Sequence, residues 1–346
     1  MSVTPNHGSR VATEVSRGIG EIGPVQEHIP EWAAVLIALL TQLGDIWFLA
    51  LVLTILYWTR RTLTAEIAAV AGVWLAGMGL TMGLKDLFGF PRPDARLLDV
   101  DLLPSLIQPL YEATALASGY GFPSGHAVNA TIVYFGLAAV VPVGPRRIRF
   151  LLAGGLVTTV CFTRVALGVH FLVDVVVGVI LGAALLYVAW IAAKHDRRDP
   201  TSVALGLAIF FGVFFLIASD FDGDAAFVAA VSLGAFAGWQ LVLLGGHLVA
   251  LSHGQSALRE AVGRGILALA GIAPLVMTID AVPLLSWFGA AGIAGLATVG
   301  IVTVPVVRHS YHARQVEAAI RFWLGTAIDG VRWLGQAAVR RLRDFR

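Results

Sequence analysis

Charge is what this sequence has least of. Asp, Glu, Lys and Arg make up 13% of its 346 residues, against 58% hydrophobic residues, where soluble domains carry about 25% charged residues. That balance excludes an ordinary water-soluble globule. Cysteine is nearly absent: Cys161 stands alone in an apolar run, so no disulfide can form within the chain, and it reads as a small apolar filler. Lysine occurs only at Lys85 and Lys194, beside 22 arginines. Those basic residues fall mostly in short loops between apolar runs, which leaves no continuous basic face, and nucleic acid is not expected as a partner. The first 31 residues lack a short apolar core behind basic residues, so no cleavable signal peptide is expected.

What fills the chain instead is apolar runs long enough for membrane helices. Nine spans are expected, near 33–57, 67–84, 126–142, 149–163, 172–193, 202–218, 226–245, 265–280 and 284–306. The fold class is all-α, a polytopic helical membrane protein. Residues 1–31 form a polar segment with a short interfacial helix over Val25–Trp32, and 32–195 form a membrane core. Residues 196–306 add a four-helix membrane region with no catalytic motif of its own, and 307–346 form a basic amphipathic tail suited to the cytoplasmic leaflet. Small residues such as Gly72, Gly77, Gly79 and Gly83 allow close helix approach.

Loop charges orient the spans. With the N-terminus outside, the inside segments hold 18 of the 24 basic residues, and the outside segments hold Arg10, Arg17, Lys85, Arg92, Arg96 and Arg164. The positive-inside bias therefore predicts N-out, C-in.

Three charged islands then fall on the outer side. Lys85 and Arg92 stand where a span meets a loop; such cations can snorkel to the interface, or they can bind a multiply charged anion. Ser124-Gly125-His126 opens an apolar helix, either as an ordinary cap or as an anion site made from free backbone N–H groups. His126 in the first turn is placed to give a proton to a leaving group. His170 and Asp174 lie four apart, on one helix face; Asp174 can fix the imidazole tautomer and leave the other nitrogen free as a nucleophile. Arg164 adds a second arginine. Asp45 is an ionisable residue within an apolar span and so a functional candidate; Gln240, His247 and Asp280 are assigned no role, although Gln240 is placed to bridge helices.

Taken together, Lys85 with six residues before Arg92-Pro93, then Pro123-Ser124-Gly125-His126, then Arg164, His170 and Asp174 resemble the three motifs of the type 2 phosphatidic acid phosphatase (PAP2) superfamily. The resemblance covers residues 85–174, and Thr163 stands where the family usually has Ser. It implies a PAP2-type helical bundle core and a phosphatase that needs no metal or other cofactor. It further implies His170 as nucleophile, His126 as general acid and base, Asp174 as the partner of His170, and Lys85, Arg92, Ser124, Gly125 and Arg164 as phosphate binders. The expected substrate and partners are membrane lipids, namely a polyprenyl or phosphatidate-like phosphate or diphosphate. The nine-span plan is also loosely similar to glucose-6-phosphatases, which keeps a soluble sugar phosphate open. The motif-free second half keeps a non-hydrolytic lipid-phosphate transporter open.

Overall fold

The computed structural model describes residues 17–103, 105, 108–195, 199–252, 258–283 and 286–307. Every regular element among them is helical. In chain order they are α1 (Ile22–Gln26), α2 (Glu31–Leu40), α3 (Ile46–Thr59), α4 (Thr64–Phe88), α5 (Gln108–Ala115), α6 (Gly125–Val140), α7 (Arg146–Ala166), α8 (Leu172–His195), α9 (Pro200–Ala218), α10 (Gly223–Ser252), α11 (Leu258–Ala281) and α12 (Trp287–Val307). Seven are long and apolar enough to cross a membrane, and the bent pair α2–α3 makes up to eight. Exposed Leu151, Ile180, Phe210 and Leu269 are what lipid-facing surfaces require, so the chain fits a multi-pass membrane protein.

The structure departs from the nine expected spans in two places. The first span is not one helix: a 3-10 turn over Thr41–Gly44 separates α2 from α3, and the two helices are bent by 48°. The bend occurs where Gly44 presses on the next layer, because a Cβ there would lie 2.6 Å from Val160 and 3.2 Å from His126. The third span, α6, has only 16 residues, roughly 24 Å at the helical rise and short of the ~30 Å hydrocarbon core. It is enclosed by α4, α7 and α8, and a helix wrapped in protein escapes the length that lipid imposes. Two local readings also change. The helix expected over Val25–Trp32 is instead α1, a turn, and α2 starting after Pro30, and the 85–123 loop contains α5. The expected basic tail lies, beyond Val307, outside the described residues.

Two compact units divide the chain. The first is Met1–Tyr57 with Leu63–Ala229, and the second is Trp58–Thr62 with Ala230–Arg346. In the first, α6 is the axle, with Ala127, Val128, Ala130, Ile132 and Val133 all inaccessible to solvent. Glycines bring its neighbours close. A Cβ on Gly178 of α8 would lie 2.7 Å from the Ser124 carbonyl, and one on Gly79 of α4 would lie 2.6 Å from the Phe211 carbonyl of α9, so α9 packs along α4 in backbone contact. In the second unit α11 packs on α12. There Gln240 of α10 accepts a 2.7 Å hydrogen bond from Arg264 of α11, and Trp58 donates to the Ile301 carbonyl at 3.1 Å.

Candidate active site

The site is assembled from three helix ends in the first unit. Lys85 stands on the last turn of α4, which stops at Gly89: its φ of +62° and its N–H bond to the Lys85 carbonyl at 2.8 Å close the helix. The chain then turns through Pro91, and Arg92 reaches back. Its Nε donates to the Ser118 and Gly119 carbonyls, both at 3.1 Å, and one terminal nitrogen donates to the Val169 carbonyl at 3.0 Å and meets His170 Nε2 at 3.1 Å.

The second end is the start of α6. Ser124 occupies the N-cap position, yet its hydroxyl makes no capping bond; Oγ is buried with no partner among the described residues. An ordinary cap therefore does not account for it. Its own N–H donates to the Asp174 carbonyl at 3.0 Å, which joins this helix start to α8. Within the first turn, His126 Nε2 lies 3.7 Å from Asp45 Oδ2. The bend between α2 and α3 thus delivers Asp45 to the general-acid candidate.

The third end is the turn from α7 into α8. Arg164 is only 3% exposed; it donates to Thr41 Oγ1 at 3.0 Å, while its Nε has no partner among the described residues. Thr163 spends its hydroxyl on the Val160 carbonyl at 2.7 Å. Gly168 has φ +70°, and a Cβ there would fall 1.5 Å from the Ala95 carbonyl oxygen. Only glycine fits that crossing, and it brings His170 beneath Arg92. His170 is buried, with Nδ1 3.5 Å from Asp174 Oδ2.

These contacts assign the histidine's tautomer. Arginine donates and never accepts, so Nε2 facing Arg92 carries the lone pair and Nδ1, facing Asp174, carries the proton. Burial pulls the His170 pKa well below its ordinary 6.5, and Arg164, Arg92, Lys85 and His126 push the same way. Burial likewise lowers Arg92, with Asp174 opposing it. His170 is thus held as a neutral ring whose free nitrogen points at the cations.

Lys85, Arg92, Gly125, His126, Arg164 and His170 line one cavity of about 430 Å³. Asp174 stands behind His170, and Ser124 is buried at the cavity's edge without lining it. Of the rest of the lining, sequence reasoning singled out Asp45 alone. Asp45 and Asp224 add carboxylates, Met78, Met82, Phe215, Phe227 and Val228 form an apolar wall, and Thr81 and Asn129 present polar atoms without partners among the described residues. Thr81 lies four residues before Lys85 and Asn129 three after His126, the one helical periodicity that could have found them.

Three cations and two histidines around one cavity make a setting chemically suited to a phosphate-bearing ligand. Residues 66–198 match the model of the PAP2 superfamily. It is 33% identical over 87 residues to phosphatidylglycerophosphatase B of Bacillus subtilis (strain 168), covering 23% of this chain and 43% of that protein. It is 29% identical over 153 residues to sphingosine-1-phosphate phosphatase 2 of Homo sapiens, covering 42% of this chain and 34% of that protein. The chain thus spans less than half the length of these curated relatives. The crystal structure of a transmembrane PAP2-type phosphatidylglycerolphosphate phosphatase from Bacillus subtilis matches 51% of this chain and 84% of its own, at 25% identity and a TM-score of 0.41. Asp45 and α9 lie outside residues 66–198, the stretch that matches the family.

Proposed function

We propose that the protein is a metal-independent membrane phosphatase that hydrolyses a lipid phosphate or diphosphate through a phosphohistidine on His170. The observation that carries this is the cavity itself, where Lys85, Arg92 and Arg164 converge with both histidines beside an apolar wall. The cations suit a phosphoryl group, and the wall from Met78 to Val228 suits a lipid chain next to it. The match of residues 66–198 to the PAP2 superfamily and the lipid phosphatases among the similar proteins support the same reading.

The geometry supports the following steps. The phosphate displaces Arg92 from His170 Nε2, and the guanidinium follows a phosphate oxygen. Nε2 attacks phosphorus, the bond to the lipid oxygen breaks, and that oxygen leaves with its electron pair and takes a proton from His126. Asp45 is placed to orient His126. Water then attacks the phosphohistidine and gives its proton to His126; the N–P bond breaks, returning the electron pair to Nε2 and releasing inorganic phosphate. Asp174 stabilises the charge on the His170 ring meanwhile. Lys85, Arg92, Arg164 and the N–H groups at the start of α6 with Ser124 neutralise the equatorial oxygens, the dominant contribution in phosphoryl transfer.

The reading places the cavity on the extracytoplasmic side, with the N-terminus out and the C-terminus in, because 18 of 24 basic residues fall on the opposite side.

Full-length protein in lipid nanodiscs is expected to release phosphate from phosphatidate, phosphatidylglycerophosphate or a polyprenyl diphosphate, undiminished by excess chelator and blocked by vanadate. A preference for glucose 6-phosphate would overturn the lipid assignment. Binding without release from any of them would favour a transporter.

A further inference from the structure

We infer that Arg17, which lies outside all three motifs and outside the matched domain, is a positioning residue that holds Asp174 and through it the nucleophile His170. The inference rests on the phosphatase reading above.

The Asp174 side chain is completely buried. Its Oδ2 accepts the Phe171 N–H at 3.0 Å and faces His170 Nδ1 at 3.5 Å. The other oxygen, Oδ1, is taken by Arg17 Nε at 3.2 Å. A buried carboxylate facing an uncharged ring needs a charged donor, and Arg17 brings it from a segment that precedes the first membrane helix. One guanidinium also reaches all three islands. It donates to the Pro91 carbonyl at 2.8 Å, beside Arg92. Its carbon lies 4.8 Å from the Phe90 ring, 5.8 Å from Phe122 and 5.3 Å from Phe171. Those rings neighbour Arg92, Ser124 and His170 in sequence, so cation–π contact ties the three loops to one point.

The segment carrying Arg17 is itself stitched down. Glu21 accepts the Leu172 N–H at 2.7 Å, Gln26 donates to the Ala95 and Ala166 carbonyls at 3.0 Å each, and Ile22 is buried with Ala127, Val165 and Val175. A Cβ on Gly18 would lie 2.6 Å from the Phe171 ring, so the glycine lets the backbone lie against it. Arg17 is thus held in place before substrate arrives, and it does not line the cavity. It acts on the orientation of His170 and not on the phosphate.

The test compares kcat and KM of full-length wild type, Arg17→Ala and Arg17→Lys in nanodiscs, on the lipid phosphate that wild type hydrolyses best. Arg17→Ala is expected to lower kcat about ten- to hundredfold with KM nearly unchanged, the usual cost of losing a supporting partner. Arg17→Lys restores part of the rate, and millimolar guanidinium restores part of it to Arg17→Ala. Where Arg17→Ala does not accumulate, Arg17→Gln removes the charge and keeps a donor, and the same kcat loss is expected. A variant with wild-type kcat overturns the inference. So does a loss confined to KM, and so does a kcat loss that neither lysine nor guanidinium repairs. Failure of the phosphatase reading shows separately, as a wild type that releases no phosphate.

Discussion

Alanine at His170 is expected to lower turnover roughly 10⁴-fold or more, the scale on which removing a covalent nucleophile acts. His170 is 1% exposed, its Nε2 faces Arg92 at 3.1 Å and its Nδ1 faces Asp174. Among the described residues no other imidazole stands in that position, since His126 belongs to a different helix start and faces Asp45. The three cations remain in the variant, so a lipid phosphate is expected still to bind, with KM little changed. The loss therefore falls on kcat, in single-turnover as well as steady-state assays. Thermal unfolding of the variant near the wild-type midpoint confirms that the chemistry is missing and not the fold. Turnover close to wild type would remove His170 from the mechanism.

Arg164→Ala is expected to cost roughly 10³-fold or more in kcat/KM, the range found when an arginine that stabilises transferring phosphoryl oxygens is lost. Arg164 is almost completely buried at the end of α7; one terminal nitrogen is spent on Thr41, and its Nε lacks a partner among the described residues. A buried guanidinium with an open donor on a cavity wall is arranged for an anion that arrives later. Lysine cannot replace it, because one ammonium cannot both hold Thr41 and turn a planar edge toward phosphate. Arg164→Lys is therefore expected to stay far below wild type in kcat/KM, measured on the same lipid phosphate. Full activity in Arg164→Lys would reduce its role to that of a point charge.

The three islands were legible in the sequence because charge is so scarce in this chain. Lys85, Arg92, Arg164, His126, His170 and Asp174 interrupt or border apolar runs, and their spacing survives as geometry because each sits at a helix end, where a few residues fix a direction. What the sequence did not disclose depends on contacts between distant segments. Asp45 stood out as a carboxylate in an apolar run, but only the break after Gly44, forced by packing on Val160 and His126, reveals its partner. Arg17 read as one more outside cation, because nothing local points it at Asp174, 157 residues away. The enclosure of α6 by α4, α7 and α8 was hidden for a similar reason: hydropathy measures how apolar a run is, not whether lipid or protein surrounds it. The Met78, Met82, Phe215 and Phe227 wall was equally invisible, since apolar residues in a membrane chain carry no label for the cavity they face.

The central claim is a covalent bond between phosphorus and His170 Nε2. The most direct measurement mixes full-length wild type with a ³²P-labelled lipid phosphate, quenches in alkali within milliseconds and maps the label by mass spectrometry. An acid-labile, alkali-stable phosphoenzyme is expected on His170 of the wild type, and is expected to be absent from His170→Ala. Label found on another residue, or hydrolysis proceeding with no labelled protein at any quench time, would contradict the account.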